Sequence, residues 1–563
     1  MSRLRDQFTT TIRTREVNQE EFRAHVKVAE TWVLLACAVL ITGDRNLLAQ
    51  YLDRVGKPAS LAVFKGVTAG DAGDPAARAE LVDLLANHLA DANQIEYFGT
   101  DDHEVMGLIN DLAAGFAVPR DQLKMNLQQS GFVPDDRSVP PTKTPAPTLD
   151  VAIIGAGMTG IDAAVKAKDR GFSFAVYELE DGPGGLWWSQ RYPGVGVDTP
   201  ALFYSLSWHA TPDWSLYYPK GEEYRAYLIS IVEKYDLHDH LHFASKVTRL
   251  RWLDDENRWE ITITSTVDHS TTVVTAATVI TAAGNLNRAK YPDVSGIETF
   301  AGRSVHTANW EETDLSGKRV GVVGVGAAGV QVIASIAPIA EHVTVFQRQA
   351  HWISPNFLGD GVVTDDEKWL RRHLPFYLQL LRLSIFSNSN LSSRAGNAVD
   401  EEWLATHGGL SVSEDNESAR LVCLNYINEV FGEGSELAEK LTPHFAFGGK
   451  RPVRDPADVN RGGYYWAYLQ PHVDLVTEPI SSVVPEGILT ADGELVELDE
   501  IIWASGMTLD YLSTIEIIGR EGRILGEIWG DDPRTFLGGT VPGFPNLFVQ
   551  DGPNTGVANG GGG

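Results

Sequence analysis

Two stretches of the chain share one spacing, and that spacing constrains how the backbone around it can fold. Residues 151–160 read VAIIGAGMTG and residues 320–329 read VGVVGVGAAG, each a G-x-G-x-x-G fingerprint. Each follows a short apolar run that reads as a strand and leads into an alanine-rich stretch that reads as a helix. In that setting the first two glycines, Gly155 and Gly157 or Gly324 and Gly326, let the backbone turn tightly and approach a pyrophosphate. The third, Gly160 or Gly329, lets the helix pack close to the strand, and the helix N-terminus supplies amide donors and a positive dipole end. One such fingerprint is a weak signal, whereas two in strand-turn-helix settings imply an enzyme that handles two nucleotides.

The chain has 563 residues, and its 43% hydrophobic content is enough to build real cores. A formal net charge of −29 argues against nucleic-acid and acidic-membrane partners, which need a basic footprint, and is read as a solubility feature. Cys37 and Cys423 are too few for a disulfide framework or a cysteine-rich metal site, so no metal is expected and a reducing compartment is. The apolar run Trp32–Ile41 is about half the length of a bilayer span. The reading is a soluble, cytoplasmic protein.

Residues 1–133 show helical periodicity, with Phe22, Val26 and Ala29 and then Leu81, Leu84, Leu85 and Leu89 at mostly three- or four-residue spacing. This leader carries no catalytic pattern and reads as a packing or oligomerisation module, a candidate homodimer interface. Residues 134–148, with five prolines, read as an extended linker. From Leu149 strands and helices alternate, which predicts an α/β architecture of two Rossmann-like dinucleotide-binding domains. Residues 149–295 and 480–563 are assigned to the first, residues 296–365 and 445–479 to the second, and residues 366–444, rich in Leu, Phe and Tyr, to a helical insertion.

The residue ending the second strand of each unit reports on the adenosine ribose. Glu178 suits an unmodified ribose diol, whereas the second unit ends in Phe346, Gln347 and Arg348, a guanidinium shaped for a 2′-phosphate. The second site therefore reads as NADPH-binding. Residues 181–188, DGPGGLWW, together with the strand-to-glycine turns at 279–284 and 501–506, favour FAD at the first.

The segment Phe300, Gly302, His306 and Trp310 matches F-x-G-x-x-x-H-x-x-x-W in every defined position, directly ahead of the second fingerprint. With it the chain resembles the single-component FAD/NADPH Baeyer-Villiger monooxygenases, and the resemblance runs from Leu149 onward. Trp310 favours this family over the sister N- and S-oxygenating monooxygenases, and Glu311 is a mild departure from the pattern. By the resemblance Gly185, Trp187, Arg191, Tyr192, Asp198, Tyr204 and Asn554 belong to the flavin site, and Lys450 and Arg451 are the active-site Lys-Arg pair. The helical leader is similar to that of the 4-hydroxyacetophenone monooxygenase subgroup, which makes aryl ketones a candidate substrate class. Family members normally continue well past the Gly-Pro-Asn-Thr segment at 552–555, whereas this sequence stops at Gly563, so the expectation is that either a terminal piece has been lost or the sequence is incomplete.

The reaction implied is oxygen insertion next to a ketone carbonyl, with NADPH, O2 and a C4a-peroxyflavin. In it Arg451 stabilises negative charge, Asp198 orients Arg451, and Lys450 helps bind the nicotinamide nucleotide. His306 is read either as a general base or as a residue setting the linker conformation, the second being preferred, and Trp310 as a packing anchor. N- or S-oxygenation is the alternative. A disulfide reductase lacks its Cys pair here, and a non-catalytic nucleotide sensor is the reading furthest from the motif.

Overall fold

The computed structural model describes residues 17–58, 73–90, 102–133, 148–286, 288–356, 361–456, 463–553 and 555, and side chains in the helix Tyr377–Asn397 through residue 388. The architecture is mixed α/β. Val151–Ile154 is the centre of a five-stranded sheet in which every pairing is parallel; the spatial order is Leu547–Val549, Thr278–Thr281, Val151–Ile154, Phe174–Tyr177 and Leu241–His242. Arg319–Val323 is the centre of a second all-parallel sheet, ordered Val473–Val476, His342–Phe346, Arg319–Val323, Glu500–Trp503 and Arg303–His306. In both, the fingerprint strand pairs directly with the strand that follows it. The fingerprint strands are buried along most of their length, as strands covered on both faces must be.

Two placements differ from the sequence reading. The sequence assigns residues 480–563 to the first unit, yet Glu500–Trp503 pairs with Arg319–Val323 and Arg303–His306 in the second sheet. The small antiparallel sheet of Ile480–Val484, Gly487–Thr490 and Leu495–Glu497 contributes Val483 and Ile488 to the same core as Trp503 and Phe346. The first sheet takes Leu547–Val549 from this region. The physical reason is that EIIW is buried at all four positions, and such a strand fits the interior of either sheet.

The second difference concerns the leader. Its described regular elements are all helical, and Thr31–Thr42 has buried residues on every face from Thr31 through Ile41. Its core is completed by Leu370, Leu374, Phe376, Tyr377, Leu380 and Leu383 of the insertion, so leader and insertion share one hydrophobic cluster. Arg382, fully buried, ties three parts together, donating to the carbonyl of Gln129 in the leader at 2.8 Å, to that of Leu202 at 2.6 Å and to Ser205 Oγ at 2.7 Å. These bonds offset part of the cost of burying the guanidinium, whose Nε has no hydrogen-bond partner among the described residues. The proline-rich stretch, apart from Thr148, lies outside the described residues.

Candidate active site

The glycines of the two fingerprints divide into positions the protein itself demands and positions it does not. Gly155 and Gly324 have φ of +101° and +107°, and a Cβ on either would lie 2.4 Å from a carbonyl oxygen, of Ala282 or Ala504. At Gly160 and Gly329 a Cβ would come within 1.9 and 2.1 Å of the carbonyl oxygens of Gly155 and Gly324. Gly326 is different: its φ of −78° and ψ of −169° suit any residue, and no atom of the described residues lies within 4 Å of the added Cβ. Gly157, at φ −74° and ψ −173°, meets only an ordinary contact with Gly185 Cα at 3.5 Å. Nothing among the described residues accounts for glycine at these two positions. A pyrophosphate lying against the bare backbone at each helix N-terminus does, so both cradles fit a dinucleotide.

Glu178 follows the strand Phe174–Tyr177 and is buried. Its carboxylate accepts the N–H of Ala156 at 2.5 Å and of Glu180 at 2.9 Å. It thereby braces the fingerprint turn while keeping acceptor positions for ribose hydroxyls, since a carboxylate offers about four.

The segment from Gly185 to Tyr204 runs from this cradle to the second unit. Gly185 has φ of +54° and backs onto Gly157. Trp187 is buried beside Tyr224 and Tyr204, with ring centroids 4.9 and 6.0 Å away. Arg191 donates to the carbonyl of Trp188 at 2.8 Å with its guanidinium carbon 5.5 Å from that indole. Tyr192 is buried in the second unit's core and donates to Gln331 Oε1 at 3.0 Å, while Gln331 Nε2 donates to the carbonyl of Gly196 at 2.9 Å. Gly194, at φ +82°, approaches the second fingerprint helix so closely that a Cβ would sit 2.1 Å from Ser335 Oγ.

Asp198 ends this stretch and accepts from Arg451 Nη at 2.5 Å. The pair is partly shielded, the aspartate side chain 18% and the arginine 35% exposed. Burial acts to lower the Arg451 pKa, but the charge and hydrogen bond of Asp198 outweigh it and hold the pKa above the ordinary arginine value. The cation is therefore fixed at any working pH. Tyr204 lies within electrostatic range of both groups, and burial raises its pKa.

Lys450 diverges from its neighbour. Its ammonium donates to Gln349 Oε1 at 2.5 Å, and its pKa is lowered by burial and then by the Arg348 charge beside it. Lys450 and the exposed Arg348 thus form a cationic pair at the end of the strand His342–Phe346. The Lys-Arg dipeptide consequently points one cation at each half of the molecule.

The Phe300–Trp310 segment edges the second sheet. Phe300 packs with Val323, Phe346 and Trp503, and Gly302 is required because a Cβ would meet the Asp499 carbonyl at 2.4 Å. His306 is fully buried and its Nδ1 accepts the Ala308 N–H at 3.0 Å, which caps the turn Thr307–Asn309 and puts the ring proton on Nε2. Burial lowers its pKa, so the ring is neutral near pH 7. Trp310 packs in the second unit's core with the Arg303 guanidinium 5.0 Å from its ring.

Sequence reasoning missed Gln331, Gln349 and His351, which belong to no motif. His351 lies near enough to Lys450 and Arg451 to feel both charges, and burial is the main cause of its lowered pKa. Asn554 lies outside the described residues. Among the described residues no group of His, Cys, Asp and Glu is arranged to hold a metal ion, and no helix is long and apolar enough to cross a membrane.

Residues 148–389 match the model of the flavin-binding monooxygenase-like family. A Baeyer-Villiger monooxygenase of Streptomyces coelicolor is 33% identical over 73% of this chain and 74% of its own. Among solved structures, an open form of cyclohexanone monooxygenase aligns at a TM-score of 0.59 and 33% identity, covering 73% of this chain and 83% of that one. OTEMO in complex with FAD and NADP aligns at 0.58 and 29%, covering 73% and 81%. The alignments with four curated relatives span 63% to 76% of those proteins' lengths. With this fold, two glycine cradles and that degree of identity, the chain belongs to the flavin-binding monooxygenase-like family, and its relatives there include Baeyer-Villiger monooxygenases.

Proposed function

We propose that this protein is an FAD- and NADPH-dependent Baeyer-Villiger monooxygenase that inserts one oxygen atom of O2 next to a ketone carbonyl. The observation that carries the reading is the Asp198–Arg451 ion pair, which joins the segment leaving the first cradle to the dipeptide leaving the second unit. When bound, FAD supplies the oxygen-activating chemistry and NADPH the hydride.

The chain's own residues do the rest. Each parallel sheet serves one dinucleotide: Gly155 and Gly160 shape the turn that presents Gly157 to FAD, and Gly324 and Gly329 the turn that presents Gly326 to NADPH. Glu178 receives the FAD ribose, and Arg348 with Lys450 receives the 2′-phosphate of NADPH. Arg451 donates hydrogen bonds to the negative charge that develops on the ketone oxygen, in a site where Trp187, Tyr204 and Tyr224 help exclude water. Asp198 holds the guanidinium in place. His306, with Nδ1 already accepting a backbone amide, sets the conformation between the units instead of removing a proton. The helical leader resembles that of the 4-hydroxyacetophenone monooxygenase subgroup, and on that resemblance aryl ketones are the first substrates to offer.

The purified flavoprotein, given NADPH, 18O2 and a panel of aryl, cyclic and linear ketones beside a thioether and a tertiary amine, tests this by mass spectrometry. One labelled oxygen gained as an ester or lactone is the expected result. Labelled sulfoxide or N-oxide with no ester from any ketone overturns it.

A further inference from the structure

A run of aromatic side chains crosses the first unit from the flavin cradle to the surface. Trp187 stands two residues past Gly185, which backs onto the cradle glycine Gly157. Its ring lies 4.9 Å from that of Tyr224, which stacks on Trp214 at 5.8 Å and 9°. Trp214 reaches Tyr227 at 5.0 Å, Tyr227 reaches His209 at 5.8 Å, and His209 reaches Trp208 at 5.8 Å, all between ring centroids. Every step is a ring contact. Trp187, Tyr224, Trp214 and Tyr227 are buried, and Trp208 is half-buried.

The three indoles differ in what their N–H groups meet. Trp187 donates to the Tyr204 hydroxyl, and the Trp214 N–H is buried with no hydrogen-bond partner among the described residues. Trp208 donates to one oxygen of the Asp162 carboxylate at 2.8 Å, while the other accepts from Lys166 at 2.8 Å. An indole that has lost an electron is a strong acid, and of the three only Trp208 is bonded to a base that takes the proton. Burial without a counter-charge disfavours positive charge on Trp214. Between the indoles, Tyr224 donates to the Met158 sulfur at 3.0 Å and Tyr227 to the His209 carbonyl at 2.9 Å, both far weaker proton acceptors than a carboxylate. The His209 ring stays neutral beside Lys234, its pKa lowered to about 4 by burial and by that charge. Trp188 also donates to a carboxylate, Asp181, but consecutive helical residues do not face each other, and the Arg191 and Arg225 guanidinium carbons, 5.5 and 5.8 Å from its ring, oppose positive charge there.

We propose that this run carries oxidising equivalents out of the flavin site, with Trp187 as the entry and Trp208 as the exit. The oxidant is a hydroxyl-class radical, formed when reduced flavin passes one electron to hydrogen peroxide. It takes one electron from Trp187 and becomes hydroxide. Electrons then move ring by ring from Trp208 toward Trp187, the Trp208 N–H bond breaks, and its proton goes to Asp162. A thiol in solution returns a hydrogen atom to the indole nitrogen and is left as a thiyl radical, and Asp162 releases its proton, so that hydroxyl radical and thiol become water and thiyl radical. The inference rests on flavin at the first cradle and not on the ketone-oxygenating reading, so the two fail separately.

The oxidised holoenzyme is excited with blue-light pulses, the excited flavin acting as the one-electron oxidant of Trp187, and transient absorption follows the indole radicals. Wild type should form a neutral indole radical that outlives recombination with the flavin and disappears when a thiol is added. Trp208→Phe and Asp162→Asn should lose the neutral radical and keep only the short-lived cation, with flavin content and melting near the wild type. A neutral radical of equal yield in Trp208→Phe places the exit at Trp188 or elsewhere and overturns the proposal, and so does a wild type that forms none. If neither variant holds flavin, wild-type protein illuminated with a nitroso spin trap decides by peptide mapping: an adduct on Trp208 supports the exit, and adducts confined to Trp187 or Trp188 overturn it. In the dark, Trp208→Phe consuming NADPH without a ketone should lose activity sooner than the wild type, and equal lifetimes overturn the protective role.

Discussion

The two middle glycines offer a sharp separation of folding from binding. Gly326→Ala adds one methyl group where φ is −78° and no atom of the described residues lies within 4 Å. Two small terms oppose each other in stability. Alanine is a poorer N-cap than glycine for the helix Ala327–Ile336, and it restricts the unfolded chain, each effect being worth roughly 0.5–1 kcal/mol. The net change is within about 1 kcal/mol, a Tm shift of only a few degrees. Binding responds differently, because the methyl group occupies the space over the helix N-terminus that a pyrophosphate must enter. Displacing the phosphates breaks at least one amide hydrogen bond to a charged oxygen, about 1.5–3 kcal/mol, or roughly ten- to a hundredfold in affinity. Gly324→Ala is the contrasting variant: φ of +107° and a carbonyl oxygen 2.4 Å from the new Cβ make it destabilising whatever is bound. Thermal melting, flavin content and the NADPH dependence of flavin reduction in stopped flow measure the three quantities separately. Gly326→Ala should melt near the wild type, keep its flavin and need much more NADPH. An unchanged NADPH dependence in a well-folded Gly326→Ala, or loss of flavin in place of NADPH affinity, refutes the assignment of the cradle.

Three other outcomes follow from the same geometry. Arg451→Met should retain flavin and consume NADPH while oxygenated product falls by about a hundredfold and hydrogen peroxide replaces it, as for the loss of an oxyanion donor; Asp198→Asn, which keeps the cation but loses the 2.5 Å charge-assisted bond, should lose about tenfold. Product near the wild-type level in Arg451→Met contradicts its role. Arg348→Ala should raise KM for NADPH about tenfold or more and leave NADH use nearly unchanged, and equal losses with both coenzymes exclude a 2′-phosphate contact. His209 has its pKa lowered to about 4 by burial and by Lys234, so the unfolded chain takes up its proton first. Its contribution is whole above about pH 6.5 and is lost as pH falls toward 4. Melting of His209→Phe should accordingly be less acid-sensitive than the wild type across that window, and parallel curves count against the assignment.

What the sequence made legible is what steric demand makes local. The carbonyl oxygens that exclude a Cβ at Gly155, Gly160, Gly324 and Gly329 belong to the same strand-turn-helix units or to the strand beside them, so the fingerprint alone specifies the turn. Glu178 is legible for the same reason, because it ends the strand next to the cradle. Glu500–Trp503 was not, since a short strand buried at every position carries no mark of the sheet it joins. The shared core of leader and insertion was equally hidden. Leu81 and Leu85 show the periodicity of a buried helix face, but nothing near them names Leu370 or Leu380 among the residues that complete the cluster. Gln331 falls outside any spacing rule and becomes visible only once Tyr192 has been brought beside it.

The site owes its geometry to the two units being held in one relative position. Between Tyr192 and Asp198 the chain makes three separate attachments to elements of the other half: Tyr192 to Gln331, the carbonyl of Gly196 to the same glutamine, and Asp198 to Arg451. Gly194 adds a steric constraint, because its approach to Ser335 leaves no room for a side chain. Lys450, one residue from Arg451, is bonded to Gln349 beside the proposed 2′-phosphate cation, so a shift of the second cradle pulls on the dipeptide that supplies Arg451. On the other side, Arg382 fixes the Leu202–Ser205 turn, and with it Tyr204, to the insertion helix and the leader. A displacement of either half therefore moves Arg451 against Asp198 before it breaks either cradle. By this argument, mutations at Gln331 or Arg382 should uncouple NADPH consumption from oxygenation while both nucleotides still bind, the opposite of the Gly326→Ala pattern.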